Sequence, residues 1–383
     1  MKLLYDIRAT QPSGLGKRHG GGRYGEVIFT RMAMKGLEFG CFYDSRMWLN
    51  PDTKALAEEK GLKMHDVSER SLQEIVDQEG YDRVYSCLLR KDVAGLERCE
   101  VYATIHGLRQ FETPYDHCFW DYKYPSWERF KFLIKEICPK VWYKWEVWKF
   151  RRKVVDNGKV HFVAVSEHTR HAVKAFFPEM KDRDLEVFYS PNTSENTAKT
   201  SKPLSRSGKG EKYFLAVSGN RWEKNNLRAI KAFDRLVGSG LIEGVRMKVT
   251  GVKSPDIFRY KIKNPEAFDL LGYVSDEELE KLYSEAYLFV YPSLNEGFGY
   301  PPLEAMRYGV PVIASPLSSI PEVLDSAALY FNPFLVEEIM GRMMMMMDKD
   351  RHEAYSERAK AQYKKISKRQ ESDLEGIINH LME

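Results

Sequence analysis

Two glutamates eight positions apart, Glu296 and Glu304, flank a glycine-containing loop in the segment Tyr291-Pro-Ser-Leu-Asn-Glu-Gly-Phe-Gly-Tyr-Pro-Pro-Leu-Glu-Ala305. An apolar strand is predicted to end at Tyr291, and Pro301–Pro302 mark the first turn of a helix, where proline is favoured. Gly297–Gly299 then precede a helix N-terminus, whose backbone N–H groups and dipole favour an anion such as a diphosphate. A diphosphate repels carboxylates, so we expect both glutamates to accept hydrogen bonds from sugar or ribose hydroxyls. The alternative is a plain strand–turn–helix junction with a capping glutamate.

The elements that position this segment alternate between short apolar runs and amphipathic stretches. Such alternation indicates parallel sheets with helices on both faces. Because it occurs in two blocks, the sequence predicts an α/β chain with two doubly wound, Rossmann-like domains. The predicted strands are Leu3–Ile7, Phe39–Tyr43, Arg83–Leu89, Glu100–Ile105, His161–Val165, Glu186–Tyr189, Tyr213–Val217, Arg246–Thr250, Leu270–Gly272, Leu288–Tyr291, Val312–Ala314 and Ala328–Phe331. The predicted helices include Tyr24–Lys35, Glu167–Phe177, Asn226–Val237, Asp276–Glu285 and Leu303–Tyr308.

A polar stretch near the middle of the chain, residues 191–212, has the composition of a linker or mobile loop. After about Met340 the chain reads as helical. We therefore predict a first domain over residues 1–192, a linker over 193–212, a second domain over 213–360, and a C-terminal helix over 361–383 that returns to the first domain.

Composition excludes several classes of protein. The 383 residues are 43% hydrophobic and 30% charged, which is typical of a globular chain. The net charge of +4 is too small to indicate nucleic-acid binding. No apolar run of about 20 residues predicts a membrane span, and the N-terminus does not resemble a signal peptide. Five cysteines without CxxC spacing indicate reduced thiols in a cytoplasmic protein.

Three motifs of the second half lie close together: Glu296-Gly-Phe-Gly-Tyr-Pro-Pro-Leu-Glu-Ala-Met306, Tyr308-Gly-Val-Pro-Val-Ile-Ala-Ser315 and Ser319-Ile-Pro-Glu-Val323. Together they closely resemble the nucleotide-sugar site of the family 4 retaining glycosyltransferases. Leu271–Leu279 is similar to that family's segment around the nucleotide base, and Val165–Arg170 with Ser190–Asn192 resembles the end of its first domain. The resemblance implies the GT-B fold, with two Rossmann-like domains facing across a cleft. It also implies retaining transfer of a sugar from a nucleoside diphosphate to a hydroxyl acceptor.

The same resemblance assigns roles to residues of the second domain. Arg221 and Lys224, in the segment after strand Tyr213–Val217, are expected to neutralise the diphosphate and stabilise the leaving group. Solvated charge at a helix start is the alternative, and Lys224 lies earlier than the family pattern places its lysine. Glu296 is expected to position the sugar and Glu304 to hold the ribose. The expected donor-binding residues are Gly21, Gly22, Gly219, Tyr273, Val274, Gly297, Phe298, Gly299, Tyr300, Leu303 and Glu304.

The first domain contributes two expected site features. The glycine-rich segment 15–24 follows the first strand, and the family has a loop here that reaches toward donor and acceptor, which only glycine allows without a Cβ clash. A flexible turn is the alternative. His106 ends a strand, where the family has a histidine near the transferred sugar; a structural histidine is the alternative.

We expect no cofactor and no metal ion. Asp182-Arg-Asp184 and Asp348-Lys-Asp350 match a DxD pattern, but neither follows a strand, and enzymes resembling this chain use cations and helix dipoles rather than a metal. Two other functions remain open: a different GT-B enzyme, such as a phosphorylase or inverting transferase, or a non-catalytic GT-B binding or scaffold subunit.

A basic, aromatic segment lies over Tyr124–Lys153. It holds Trp127, Trp142, Trp145 and Trp148 with nine basic and three acidic residues, a net charge of +6. This composition suits the interface of an anionic membrane, while a helix packed on its own domain is the alternative. The expected partners are a nucleotide-sugar donor, a saccharide or lipid-linked acceptor and an anionic membrane surface, without nucleic acid. The expected location is cytoplasmic, peripheral on the inner face of the plasma membrane.

Overall fold

The computed structural model describes residues 2–12, 20–113, 115–193 and 211–383. Most of the predicted linker, and residues 15–19 of the glycine-rich segment, lie outside the described residues. The chain divides into two compact units that are each discontinuous in sequence. The first comprises Met1–Leu108, Trp145–Asn196 and Ser367–Glu383, and the second Arg109–Lys144 and Thr197–Ile366.

Among the described residues of the first unit, seven parallel strands form a sheet in the order β3-β2-β1-β4-β5-β6-β7. Their bounds are β1 Leu3–Asp6, β2 Gly40–Tyr43, β3 Lys63–Asp66, β4 Arg83–Ser86, β5 Glu100–Ile105, β6 Val160–Ala164 and β7 Glu186–Val187. β3 was not predicted, because its Lys-Met-His-Asp sequence has no apolar run and it forms an edge of the sheet.

The described part of the second unit has a parallel sheet of six strands in the order β10-β9-β8-β11-β12-β13. Their bounds are β8 Lys212–Ala216, β9 Val245–Thr250, β10 Phe268–Leu271, β11 Leu288–Tyr291, β12 Val312–Ala314 and β13 Ala328–Tyr330. Counted within the unit, this order is 3-2-1-4-5-6, the doubly wound order. It places β8 beside β11, with Leu288 opposite Phe214, so the loops after these two strands are neighbours where the strand order reverses.

The helices surround these sheets. The α-helices are α1 Gly20–Met34, α2 Pro51–Glu59, α3 Leu72–Glu79, α4 Lys91–Ala94, α5 Arg109–Glu112, α6 Ser126–Ile137, α7 Pro139–Phe150, α8 Glu167–Phe176, α9 Asn226–Gly238, α10 Asp276–Glu285, α11 Tyr300–Arg307, α12 Ile320–Leu324, α13 Val336–Met345 and α14 Lys349–Met382. None of the described helices combines the length and the apolarity needed to cross a bilayer.

Apolar packing explains which segments belong to each unit. In the second unit, Tyr122 and Cys118 are buried in the same core as Phe214 and Leu227, so residues 109–144 pack with this unit. The sequence-based division had placed them in the first domain. In the first unit, the end of α14 contributes Leu374, Ile377, Ile378 and Leu381 to the core.

Candidate active site

The first loop of the site follows β8 and is shaped by close packing. Ser218 has a positive φ of 60°, and a Cβ on Gly219 would lie 2.6 Å from Val252 and 2.7 Å from Val249. Glycine is therefore required for the loop to pack against the end of β9. A 3₁₀ turn, Trp222–Lys224, then leads into α9 through Asn225, which is left-handed at φ 58°. The Asn225 side chain donates to the carbonyl oxygen of Pro292 at 3.1 Å and so ties this loop to the one after β11.

The second loop follows β11 and buries Glu296. The Ser293 hydroxyl donates to Oε1 of Glu296 at 2.5 Å, and the Glu296 amide donates to the Ser318 hydroxyl at 2.8 Å. The Ser319 hydroxyl donates to the carbonyl oxygens of Glu296 and Phe298, each at 3.0 Å. These serines hold the loop and the carboxylate in one geometry.

Lys224 and Glu296 join the two loops in an ion pair. Lys224 Nζ lies 2.5 Å from Glu296 Oε1, and the two side chains are only 9% and 10% exposed. Burial raises the pKa of the Glu296 carboxyl, but the Lys224 ammonium lowers it and the net shift is downward; burial in turn lowers the pKa of the Lys224 ammonium. Burying two charges is costly unless each is satisfied, and such pairs are concentrated at functional sites.

Arg221 pairs with the carboxylate of Glu223. Its Nε and Nη2 atoms lie 3.0 Å and 2.5 Å from Oε1 of Glu223, and its side chain is 41% exposed. Arg109 reaches the same oxygen at 3.3 Å. Burial raises the pKa of the Glu223 carboxyl, but Arg221 and Arg109 lower it to a net downward shift. Arg109, Arg221 and Lys224 therefore lie around the carboxylates of Glu223 and Glu296.

The start of α11 lies directly after this pair. Gly299 caps the helix with φ at 105°, a conformation that favours glycine. Phe298 is buried with its ring edge-on to Tyr300, and Leu303 is buried in the helix's inner face. Glu304 lies half-buried within the helix, eight residues after Glu296. This strand–loop–helix junction has the form expected for an anion site at a helix N-terminus.

The remaining predicted residues of the second unit lie after β10. Tyr273 is 79% exposed and Val274 is half-buried, between β10 and α10. They lie beyond the carboxyl end of a parallel strand, as the loops after β8 and β11 do, but none of the described contacts joins either residue to the Lys224–Glu296 pair.

The predicted first-unit residues take different positions. Gly21 and Gly22 were expected in a loop, but the structure places them in the first turn of α1, which begins at Gly20. There Gly21 packs closely on the chain after β4, because a Cβ at this position would lie 3.0 Å from Leu88. His106 follows β5; its Nε2 lies 2.8 Å from the Cys87 carbonyl oxygen, and its ring packs edge-on against Tyr24.

Parts of the sequence are similar to known proteins. Residues 198–364 match the family described as "Glycosyl transferases group 1". The match covers less than half of the chain. The "O-antigen chain mannosyltransferase B" of Escherichia coli is 46% identical over 98 residues, which is 25% of this chain and 26% of that protein. The "O-antigen chain mannosyltransferase RfbU" of Salmonella typhimurium is 32% identical over 176 residues, 45% of this chain and 47% of that protein. The chain thus matches less than half the length of either relative.

Solved structures resemble this chain over nearly its whole length. A glycosyltransferase from Rickettsia africae has a TM-score of 0.67 at 13% identity, covering 100% of this chain and 98% of that one. WaaG, described as a glycosyltransferase involved in lipopolysaccharide biosynthesis, has a TM-score of 0.65 at 14% identity, covering 94% and 95%. Anabaena HepE, solved with UDP-glucose, has a TM-score of 0.62 at 16% identity, covering 98% and 99%. These likenesses confirm the α/β, GT-B fold.

Several residues of the candidate site were not selected from the sequence. Glu223, Ser293 and Ser318 contact the predicted residues directly. Glu223 could have been noticed between Arg221 and Lys224, and Ser293 three positions before Glu296. Arg109 has no local signal, because it approaches Glu223 from 114 residues away in sequence. Among the described residues, no group of three His, Cys, Asp or Glu side chains could hold a metal ion.

Proposed function

We propose that this protein transfers a sugar from a nucleoside diphosphate sugar to a hydroxyl of a saccharide or lipid-linked acceptor, with retention of configuration. We further propose that the sugar is mannose and that the product belongs to a cell-envelope polysaccharide such as an O-antigen. The group 1 family match supports transfer, and the relatives named as O-antigen mannosyltransferases support the sugar and the product. HepE in complex with UDP-glucose supports a nucleotide-sugar donor.

The observation that carries this proposal is the buried Lys224–Glu296 pair between the loops after β8 and β11. Doubly wound sheets bind ligands where the strand order reverses, which is where this pair lies. In the proposed reaction Arg221 and Lys224 neutralise the diphosphate as the bond to the sugar breaks. Glu296 orients the sugar through its hydroxyls, and Glu304 holds the ribose. His106 is proposed to line the reacting face of the sugar.

A sugar-nucleotide screen tests the donor. Mannose and glucose conjugates of GDP, UDP, ADP and dTDP are compared by thermal unfolding, because a ligand that binds only the folded state raises its stability. We expect one donor to raise the melting temperature by about 5 °C at saturation. Analysis of the product anomer by NMR should then show retention. An inverted anomer would contradict the retaining mechanism, and the absence of any stabilising donor would indicate a non-catalytic subunit.

We propose that transfer needs no metal ion, since Arg221, Lys224 and the start of α11 supply the positive field for the leaving group. Transfer in excess EDTA is therefore expected to match transfer in MgCl₂. The measurement is the initial rate with the donor chosen by the screen. A rate that falls in EDTA and returns on adding Mg²⁺ would show that a metal takes part.

We propose that the protein works as a peripheral protein on the inner face of the plasma membrane, through Tyr124–Lys153. Within this segment, α6 supports the proposal because its exposed apolar side chains recur at helical spacing. Trp127, Phe130, Ile134 and Ile137 lie along one side, and Phe132 packs on the other against Phe119 at a ring distance of 3.7 Å. An apolar helix face beside basic residues is the pattern of an interfacial helix on anionic lipid.

A further inference from the structure

Residues 109–124 follow β5 of the first unit in sequence but belong to the second unit. Asp116 accepts two hydrogen bonds from Arg228, at 2.6 Å and 2.7 Å, near the start of α9. The Tyr124 hydroxyl donates to the Asn220 carbonyl oxygen at 2.8 Å and accepts from the Trp222 amide at 2.9 Å. This segment is therefore bound to the loop that carries Arg221 and Lys224.

The short helix α5, at the start of this segment, contacts both loops of the candidate site. Glu112 accepts from the Asn295 side chain at 2.9 Å, and Asn295 directly precedes Glu296. Arg109 Nη1 lies 3.3 Å from Oε1 of Glu223, on the loop after β8. Two contacts from one turn of helix, one to each loop, fix the position of Arg109 relative to both.

The charges around these loops are unequal. Arg109, Arg221 and Lys224 are three cations, while Glu223 and Glu296 are two carboxylates. These side chains sum to +1, and a diphosphate diester, which adds about two negative charges, would bring the sum to about −1, compared with about −2 if Arg109 were absent. The Arg109 side chain is 48% exposed, and Oε1 of Glu223, which is 14% exposed, also accepts two hydrogen bonds from Arg221. Arg109 can therefore exchange Glu223 for a phosphate oxygen while Glu223 keeps Arg221 as its partner.

We propose that Arg109 is a third cation for the diphosphate of the donor, contributed by the segment that leaves the first unit after β5. This assignment rests on the proposed function, since it takes a nucleoside diphosphate sugar as the ligand. Arg109 then contacts a phosphate oxygen in the bound state and Glu223 in the free state. The guanidinium suits this role because it donates to two oxygens in a fixed fork.

The test compares Arg109→Gln and Arg109→Lys by titration calorimetry with GDP and UDP and with GMP and UMP. For the base that the wild type binds, Arg109→Gln is expected to weaken binding of the nucleoside diphosphate about tenfold and binding of the monophosphate much less. Arg109→Lys, which keeps the charge but not the fork, should recover part of the affinity. Arg235→Gln is the matched control, because Arg235 is 52% exposed and pairs with Glu337 at 2.7 Å in the same unit, at the last turn of α9.

Two results would overturn the assignment while leaving the proposed function intact. One is wild-type diphosphate affinity in Arg109→Gln. The other is an equal loss for the diphosphate and the monophosphate, together with a lower melting temperature, which would mean that Arg109 only supports the fold. A wild-type protein that binds neither diphosphate would overturn both proposals.

Discussion

Lys224→Met is expected to lower glycosyl transfer about 10²–10³-fold, the loss typical of removing one preorganised charge from a transition state. The variant also leaves Glu296 buried without its partner. Because an uncompensated buried charge costs about 3–5 kcal/mol, the free energy of unfolding should fall as well. Steady-state kinetics with the selected donor and denaturant unfolding measure the two effects separately.

A paired variant separates catalysis from folding. In Lys224→Met/Glu296→Gln neither buried side chain carries a charge, so most of the lost stability should return while transfer stays low. Lys231→Met is the matched control, because Lys231 lies on α9, the helix that follows Lys224, and pairs with Asp121 at 2.7 Å in a more exposed setting. It should transfer at the wild-type rate. A wild-type transfer rate in Lys224→Met, or full recovery of the transfer rate in the double variant, would remove this pair from the mechanism.

Replacing Trp127, Phe130 and Ile137 together with serine is expected to weaken binding to anionic vesicles about 100-fold or more. The three side chains are 63%, 55% and 68% exposed, so their loss should leave the melting temperature nearly unchanged. Each large apolar side chain contributes about 1.5–3 kcal/mol when fully removed from water, so even partial insertion accounts for this loss. Co-sedimentation with vesicles of phosphatidylglycerol and phosphatidylcholine measures it.

The control for this experiment uses apolar side chains exposed elsewhere in the second unit. Leu241 and Leu335 are 56% and 51% exposed, and Leu241→Ser/Leu335→Ser should bind vesicles as the wild type does. Binding of the wild type to vesicles of phosphatidylcholine alone should also be weaker, because the segment Tyr124–Lys153 carries a net charge of +6. Equal sedimentation of the triple variant and the wild type would show that α6 does not dock on lipid.

The strand–loop–helix junction from β11 to α11 could be predicted from sequence because its signals are local. The apolar run of β11, the glycines after it and the prolines of α11 are adjacent in the chain, and each favours the same strand–loop–helix junction. Glu296 and Lys224 were both selected, but their direct contact could not be predicted. It depends on β8 and β11 being neighbours, which is a property of strand order.

Other features depend on tertiary packing and could not be predicted from local patterns. The start of α1 at Gly20 is one, because its glycines pack against the chain after β4 instead of breaking the helix. The assignment of residues 109–144 to the second unit is another. Tyr122 and Cys118 become core residues of that unit only through contact with α9 and β8. The position of Arg109 beside Glu223 depends on the same packing.

The long C-terminal helix α14 begins in the second unit, and its last turns belong to the first. Leu374, Ile377, Ile378 and Leu381 are buried in a core whose other buried residues lie between Leu3 and Val165. These four residues follow the whole second unit in sequence. The first unit therefore completes its core only after the second unit has been synthesised, whereas domains usually fold in order from the N-terminus.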